Sequence, residues 1–207
     1  MSRARVLADF IGGTTTISGT PTFTGTVTGA GAAGSEYFQV NLTTDVTGLS
    51  NNTAHVVDFG GSGTVNYDTA SNFDTSNDAY LLGSSSGLYE ISFSVGLRSN
   101  TITSEQLAFS AAVVQIATDG STFTAYKGSA HQQRDNASND EGSVIMQNSF
   151  IYKATTATTK LRVVVYSVQG ASANYNIETV AGDMMQTTTN AEVKDAHVTF
   201  LSVLRIA

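Results

Sequence analysis

The sequence contains no cysteine, no tryptophan and a single proline in 207 residues. Without cysteine there is no disulfide framework, no thiol nucleophile and no thiolate metal site. Charge is also scarce: 13% of residues are Asp, Glu, Lys or Arg, and the formal net charge is −7. A surface that tracks phosphates needs clustered Lys and Arg, and ten basic residues scattered among seventeen acidic ones do not supply it. No nucleic-acid partner is expected. No apolar run approaches the roughly 20 residues needed to cross a bilayer, so no membrane partner is expected either. The stretch Val6–Ile11 is too short for the apolar region of a signal peptide and has Asp9 in its middle, so no signal peptide is expected. The sequons at Asn41, Asn51 and Asn136 then reflect a Thr- and Ser-rich composition.

What is present is Thr, Ser, Gly, Ala, Val and Asn, the residues of pleated surfaces and turns. The length suffices for one sizeable β-domain with an appendage, burying roughly 70% of its unfolded surface without covalent staples. The clearest local signal is Gly87–Val95, where Tyr89, Ile91, Phe93 and Val95 share one face and Glu90, Ser92 and Ser94 the other. That period of two marks a half-buried strand. Further strands are expected at Tyr37–Leu42, His55–Phe59, Thr64–Tyr67, Ala108–Thr118, Phe123–Lys127, Ser143–Tyr152, Lys160–Val168 and Ala196–Ile206, with a short one near Tyr175–Ile177. Many short strands with no amphipathic helix between them predict an all-β sandwich or jelly roll. Asp119-Gly120 predicts a tight hairpin turn.

Three zones follow. In residues 1–13, Val6, Leu7, Phe10 and Ile11 form one apolar stripe of a short helix, with Ser2 as N-cap and Gly12-Gly13 as the stop. Such a helix is too short to hold in water alone, so the stripe is expected to anchor on another surface. Residues 14–34 are low in complexity, with Ile17, Phe23 and Val27 spaced among Thr and Gly units. That spacing fits an extended arm or β-stalk in which three chains share sparse apolar residues along an axis, or a flexible linker. Residues 35–207 form the expected globular head.

Little in the chain reads as chemistry. Gly29–Gly34 fits G-x-G-x-x-G literally, but no helix follows to receive a pyrophosphate, so it reads as linker. His55, His131 and His197 lie far apart and make no zinc-spaced array. Gly83-Ser84-Ser85-Ser86-Gly87 fits Gly-x-Ser-x-Gly literally, but an expected strand and not a helix follows it, so it does not read as a nucleophile elbow. Carboxylates gather at Asp68, Asp74 and Asp78, and again at Asp135, Asp140 and Glu141, where calcium with its oxygen ligands would be the metal to consider and turn capping the plainer reading. Arg134-Asp135-Asn136 reads as a solvated loop. Tyr126 and Tyr175 are candidates to stack on sugars or to sit in the core. The chain is expected not to be an enzyme and to have no cofactor.

Some strands are apolar on both faces. Leu161, Val163 and Val165 alternate with Arg162, Val164 and Tyr166, and Val198, Phe200, Leu204 and Ile206 oppose Leu201 and Val203. An antiparallel sheet with one wet face should alternate cleanly, so the second face is expected to be covered, by a neighbouring copy or, as the alternative, by a lid made of the chain's own Gly170–Asp195. Val164, Tyr166, Leu201 and Val203 are the expected subunit contacts.

The order Asn66-Tyr67-Asp68, Asn72-Phe73-Asp74, a Ser/Gly/Asn loop and Gly87-x-Tyr89-x-x-x-Phe93 resembles the central signature of the C1q/TNF-like jelly roll. The closing apolar strand His197–Ile206 adds to this, and the resemblance covers Tyr37 onward. The polar segment Gly170–Asp195 is longer than the family's usual final loop. The resemblance implies a homotrimer working in adhesion or assembly. The opening Ser2-Arg3-Ala4-Arg5, followed by a Thr/Gly/Ser-rich stretch, is similar to the openings of tail-fibre and virion-surface proteins of marine and cyanobacterial phages. Together these imply a trimeric virion-surface fibre, knob or capsid decoration (cement) protein, anchored through its N-terminal segment to capsid, neck or tail proteins. The alternative is a receptor- or host-glycan-binding tail-fibre module using loops such as Ser99–Gln106 and Gly128–Gly142. A polysaccharide-degrading enzyme ranks below both.

Overall fold

The computed structural model describes residues 36–84, 86–99, 107–134, 143–168, 174–180 and 195–206. The anchor residues Val6, Leu7, Phe10 and Ile11, the stalk residues Ile17, Phe23 and Val27, the Gly29–Gly34 stretch, the acidic group Asp135, Asp140 and Glu141, and most of the two proposed head loops lie outside them. The described residues belong to one unit, Ala32–Ala207.

The strands are β1 (Tyr37–Leu42), β2 (Val46–Leu49), β3 (Ala54–Val56), β4 (Gly63–Asp68), β5 (Phe73–Asp74), β6 (Ala79–Leu81), β7 (Leu88–Ser99), β8 (Leu107–Ala117), β9 (Thr124–Arg134), β10 (Ser143–Lys153), β11 (Lys160–Val168), β12 (Tyr175–Glu178) and β13 (Phe200–Arg205). They form two antiparallel sheets. In the first, β10 lines one edge of β7 along its length, while β12 and then β13 line the other; β1 and β4 continue beyond β13. The second repeats this plan around β11. There β8 lines one edge, with β9 beyond it, and β6 and β3 share the other. The chain crosses between sheets at β2–β3, β3–β4, β4–β5, β6–β7, β7–β8, β9–β10, β10–β11 and β11–β12, and β13 closes the first sheet between β1 and β7. That is the path of a jelly roll.

Alternation explains which side chains fill the sandwich. Phe38, Val40 and Leu42 of β1, Tyr89, Ile91, Phe93 and Val95 of β7, and Leu201 and Val203 of β13 meet Leu161, Val163 and Val165 of β11 and Ala112 and Val114 of β8 in one core. Phe38 stacks on Tyr80 at 4.3 Å between ring centroids. The buried Glu36 closes one end of this core, accepting hydrogen bonds from the hydroxyls of Tyr80 and Tyr89, each at 3.1 Å. Burial, with the Glu36 charge beside it, pushes the Tyr89 phenol up to about 12.

Some boundaries differ from the sequence expectation. Phe59 does not extend the strand at His55; it begins a one-turn helix α1 (Phe59–Ser62), capped by the Asp58 carboxylate accepting from Gly61 N at 2.7 Å. Gly60 is needed there, since a Cβ would fall 2.0 Å from the Thr75 carbonyl oxygen. The strand expected at Phe123–Lys127 runs on to Arg134, so Gly128–Arg134 is ladder and not loop. The closing strand starts at Phe200 because Thr199 takes over the ladder with its hydroxyl, which donates to Glu178 O at 2.6 Å and accepts from Gly96 N at 3.0 Å.

Candidate functional site

The outward face of the first sheet is the leading candidate, and the strand registers place its side chains in cross-strand rows. One row runs Tyr37, Leu204, Glu90, Ile151. The next runs Tyr67, Gln39, Ser202, Ser92, Ser149, and the third Thr64, Asn41, Phe200, Ser94, Gln147. Glu90 is the only carboxylate in these rows, and they hold no Lys, Arg or His. The rest are aromatic, aliphatic, hydroxyl or amide. Ile151 is 61% exposed, Tyr67 55% and Ile145, one ladder step beyond the third row, 46%.

Some polar members of the face are tied to one another. Ser92 donates to Ser149 at 2.8 Å, and the Tyr37 hydroxyl donates to Gln39 Oε1 at 3.1 Å. The rings of Tyr37 and Tyr67 meet at 5.3 Å. A shallow depression of about 360 Å³ lies between Ser92, Ser149, Gln147 and Phe200. Such a face is partly apolar and carries few charges, Glu90 within the rows and Lys153 one ladder step beyond the first. That is the composition of an interface core, where charged residues are depleted.

The four contacts expected from sequence are not brought together on one surface. Leu201 and Val203 point inward and have no exposure at all, so they correct the expectation: they are sandwich core, and the outward pair of β13 is Phe200 and Leu204. Val164 lies on the outward side of the second sheet at 8% exposure, beside Val56 of β3 and Val113 of β8. Tyr166, on the same side, is half-buried and donates its hydroxyl to Asn52 Oδ1. The second apolar side of β11 is therefore closed over largely by the chain's own residues.

The acidic residues expected near a calcium site are occupied by local structure. Asp68 accepts from Asn72 N and Phe73 N at 3.1 and 3.0 Å. Asp78 accepts from Gly60 N at 2.6 Å. Asp74 takes hydrogen bonds from Ser76, Asn77 and Lys160, which hold its carboxyl well below the usual carboxylate range. Among the described residues no group of three or more His, Asp or Glu side chains could hold a metal ion. His55 lies against Ser50 O at 3.2 Å and edge-on to Tyr175, while His131 and His197 pair in separate ladders.

The two aromatic candidates separate. Tyr175 is fully buried, with its hydroxyl on Thr53 O at 3.3 Å, and is core. Tyr126 is 47% exposed at the rim of a cleft. Sequence reasoning missed Glu178, which is buried beside Asp45. Burial first, then the Asp45 charge, pushes its carboxyl up to about 7 against the pull of Asn176 and Arg98. No motif announces that pairing, because Asp45 and Glu178 meet only through the β2–β12 ladder.

The strand order defines a jelly-roll β-sandwich. No protein-family model and no curated protein matches the chain. Among solved structures it is similar to the Eiger TNF of S. frugiperda, at 12% identity and a TM-score of 0.47, covering 83% of this chain and 92% of that one. It is also similar to murine APRIL, at 9% identity and 0.45, covering 82% and 98%, and to the globular domain of zebrafish complement 1qA protein, at 8% and 0.41, covering 83% and 94%.

Proposed function

We propose that the chain is a binding and assembly head without catalytic activity, in which three copies associate through the outward face of the first sheet and present their remaining surfaces to a receptor or host glycan. The observation that supports this best is the composition of the rows: Tyr37, Leu204, Ile151, Tyr67 and Phe200 lie among hydroxyls and amides with one carboxylate, Glu90, between them. Exposed apolar side chains gathered on one sheet face mark a surface that a partner covers. A second copy is the partner that brings an equally uncharged face to it. Light scattering on the full chain tests this. The expected mass is a trimer that Ile151→Glu reduces to a monomer, and a wild-type monomer overturns it.

The opening Met1–Ile11 carries a further part of the proposal. Its similarity to phage virion-surface openings supports a head mounted on a virus particle, as fibre, knob or capsid decoration, with Val6, Leu7, Phe10 and Ile11 docking on a virion protein. Ile17, Phe23 and Val27 would then line a shared stalk. Co-sedimentation with purified virions, lost when residues 1–13 are deleted, is the expected result. Equal sedimentation of the truncated chain would contradict the docking role.

A further inference from the structure

The hairpin joining β8 to β9 closes on Asp119-Gly120, with Gly120 at φ +79° and its N–H donating to Ala117 O at 3.3 Å. Asp119 Oδ1 accepts from the backbone N–H groups of Ser121 and Thr122 at 2.8 and 2.7 Å. The Thr122 hydroxyl and these N–H groups hold the carboxyl well below the usual carboxylate range, so it is a fixed anionic acceptor open to water. Beyond the turn, the β8–β9 register shifts at Val114/Gln115: Lys127 faces Val114 and Ala125 faces Gln115, which leaves Tyr126 as the extra residue of a bulge. Bulges re-aim side chains. Here the bulge sends Tyr126 toward the seam between the sheets, where its ring meets Tyr152 edge-on at 5.3 Å (87°) and Phe150 at 5.6 Å. Lower down, the seam is stitched shut by Asn148 Nδ2 donating to Gly128 O at 2.8 Å.

Between the stitch and the turn the seam opens into a cleft of about 500 Å³, lined by Tyr126, Tyr152, Asp119, Thr118, Thr122 and Thr124. That volume lies in the range of small-ligand sites, about 300–1,000 Å³. Its chemistry is two-sided. A tyrosine braced by two aromatic neighbours yet 47% exposed offers a flat, weakly polar platform. The same lining supplies the Asp119 carboxylate and the side chains of Thr118, Thr122 and Thr124. A sugar ring has this same character, with a C–H face for the aromatic and hydroxyl donors for the carboxylate. The ionised Asp119 disfavours sialic and uronic acids.

We propose that this cleft is a subsite for one or two rings of an uncharged saccharide, with Tyr126 as the stacking platform and Asp119 as the acceptor for ring hydroxyls. The inference rests on the reading of the chain as a binding head and gives that reading a location and a ligand class. Tyr126 and Asp119 would be contact residues, while Tyr152 and Phe150 position the Tyr126 ring.

Saturation-transfer NMR on the full chain tests it, with methyl glycosides of glucose, galactose, mannose and N-acetylglucosamine as probes and those of sialic and glucuronic acid as controls. Binding of at least one neutral glycoside, with the acidic ones silent, is expected. Tyr126→Leu, which keeps apolar packing against Tyr152, and Asp119→Asn, which keeps an acceptor for the turn, should each weaken it by about tenfold or more. Phe109→Ala, exposed on the second sheet and outside both proposed sites, should leave it unchanged. Silence from every neutral glycoside, equal binding by both cleft variants, or preferred binding of the acidic controls would each overturn the proposal. Light scattering on the same samples separates the two readings. A trimer that binds no sugar sinks the subsite alone, and a sugar-binding monomer sinks the sheet-face assembly alone. A Tyr126→Leu protein that loses its trimer while keeping sugar binding reassigns the cleft to a subunit contact.

Discussion

The outward faces of the two sheets start from similar residues and reach opposite solutions. On the second sheet the chain roofs much of its own apolar surface, with Phe109 left 40% exposed. Arg162 lays its guanidinium 4.0 Å above the Phe123 ring and donates through Nε to Gln115 at 3.0 Å, while Tyr166 bonds Asn52 and β3 lies beside Val164. Long amphipathic side chains shield apolar surface while keeping their charge in water. On the first sheet the three rows contain no long cationic side chain, and Ile151, Tyr67 and Ile145 remain open. A sheet face can thus be made soluble from within the chain or left for another molecule to cover. The proposed assembly takes the second course for the first sheet.

The largest effect is expected in the core that both faces share. Leu201→Ala, inward on β13, should cost about 2–5 kcal/mol by emptying core space, read from denaturant unfolding. Leu204→Ala, outward on the same strand, should cost less than half as much and weaken self-association instead. Equal costs would mean that the two sides of β13 are not distinct.

The next largest effect is pH dependence where β2, β12 and β7 meet. The Glu178 carboxyl is raised from 4.5 to about 7 by burial and by Asp45, so the folded state holds a proton that the unfolded state releases. Its contribution is complete below pH 4.5 and lost as pH rises through 7, at most on the order of 3 kcal/mol across that window. Glu178→Gln should flatten this fall, and an unchanged slope in that variant would refute the assignment.

On the second sheet, Arg162→Ala should cost about 1–2 kcal/mol through the lost ring contact and the orphaned Gln115, without altering the assembled mass. A loss of mass would mean that this face also meets a partner. Smallest in stability is Tyr67→Ala on the open face, within about 0.5 kcal/mol for the isolated chain, as expected of a surface site. Its effect should appear in association.

Much of this was legible in the sequence. The alternation Tyr89, Ile91, Phe93, Val95 is buried as its period requires, and β1 and β11 keep the limits read from their residues. The Asp119-Gly120 turn closes the hairpin expected of it. The strands β2, β5 and β6 were not legible, because a pairing of two to four residues carries no period to detect. The inward side of β13 was not legible for another reason. Phe200 and Leu204 are as apolar as Leu201 and Val203, and only the register with β1 and β7 decides which pair enters the core. Tyr126 could be named as a candidate platform, but the bulge and the Tyr152 contact that open a cleft beside it are tertiary.

The outward face of the first sheet bears the weight of this account, and the mass of the full chain in solution by light scattering tests it most directly. Assembly through that face predicts three times the 21.6 kDa chain mass, falling to a single chain for Ile151→Glu while the thermal transition stays cooperative. A wild-type protein that remains at 21.6 kDa at every concentration would contradict it.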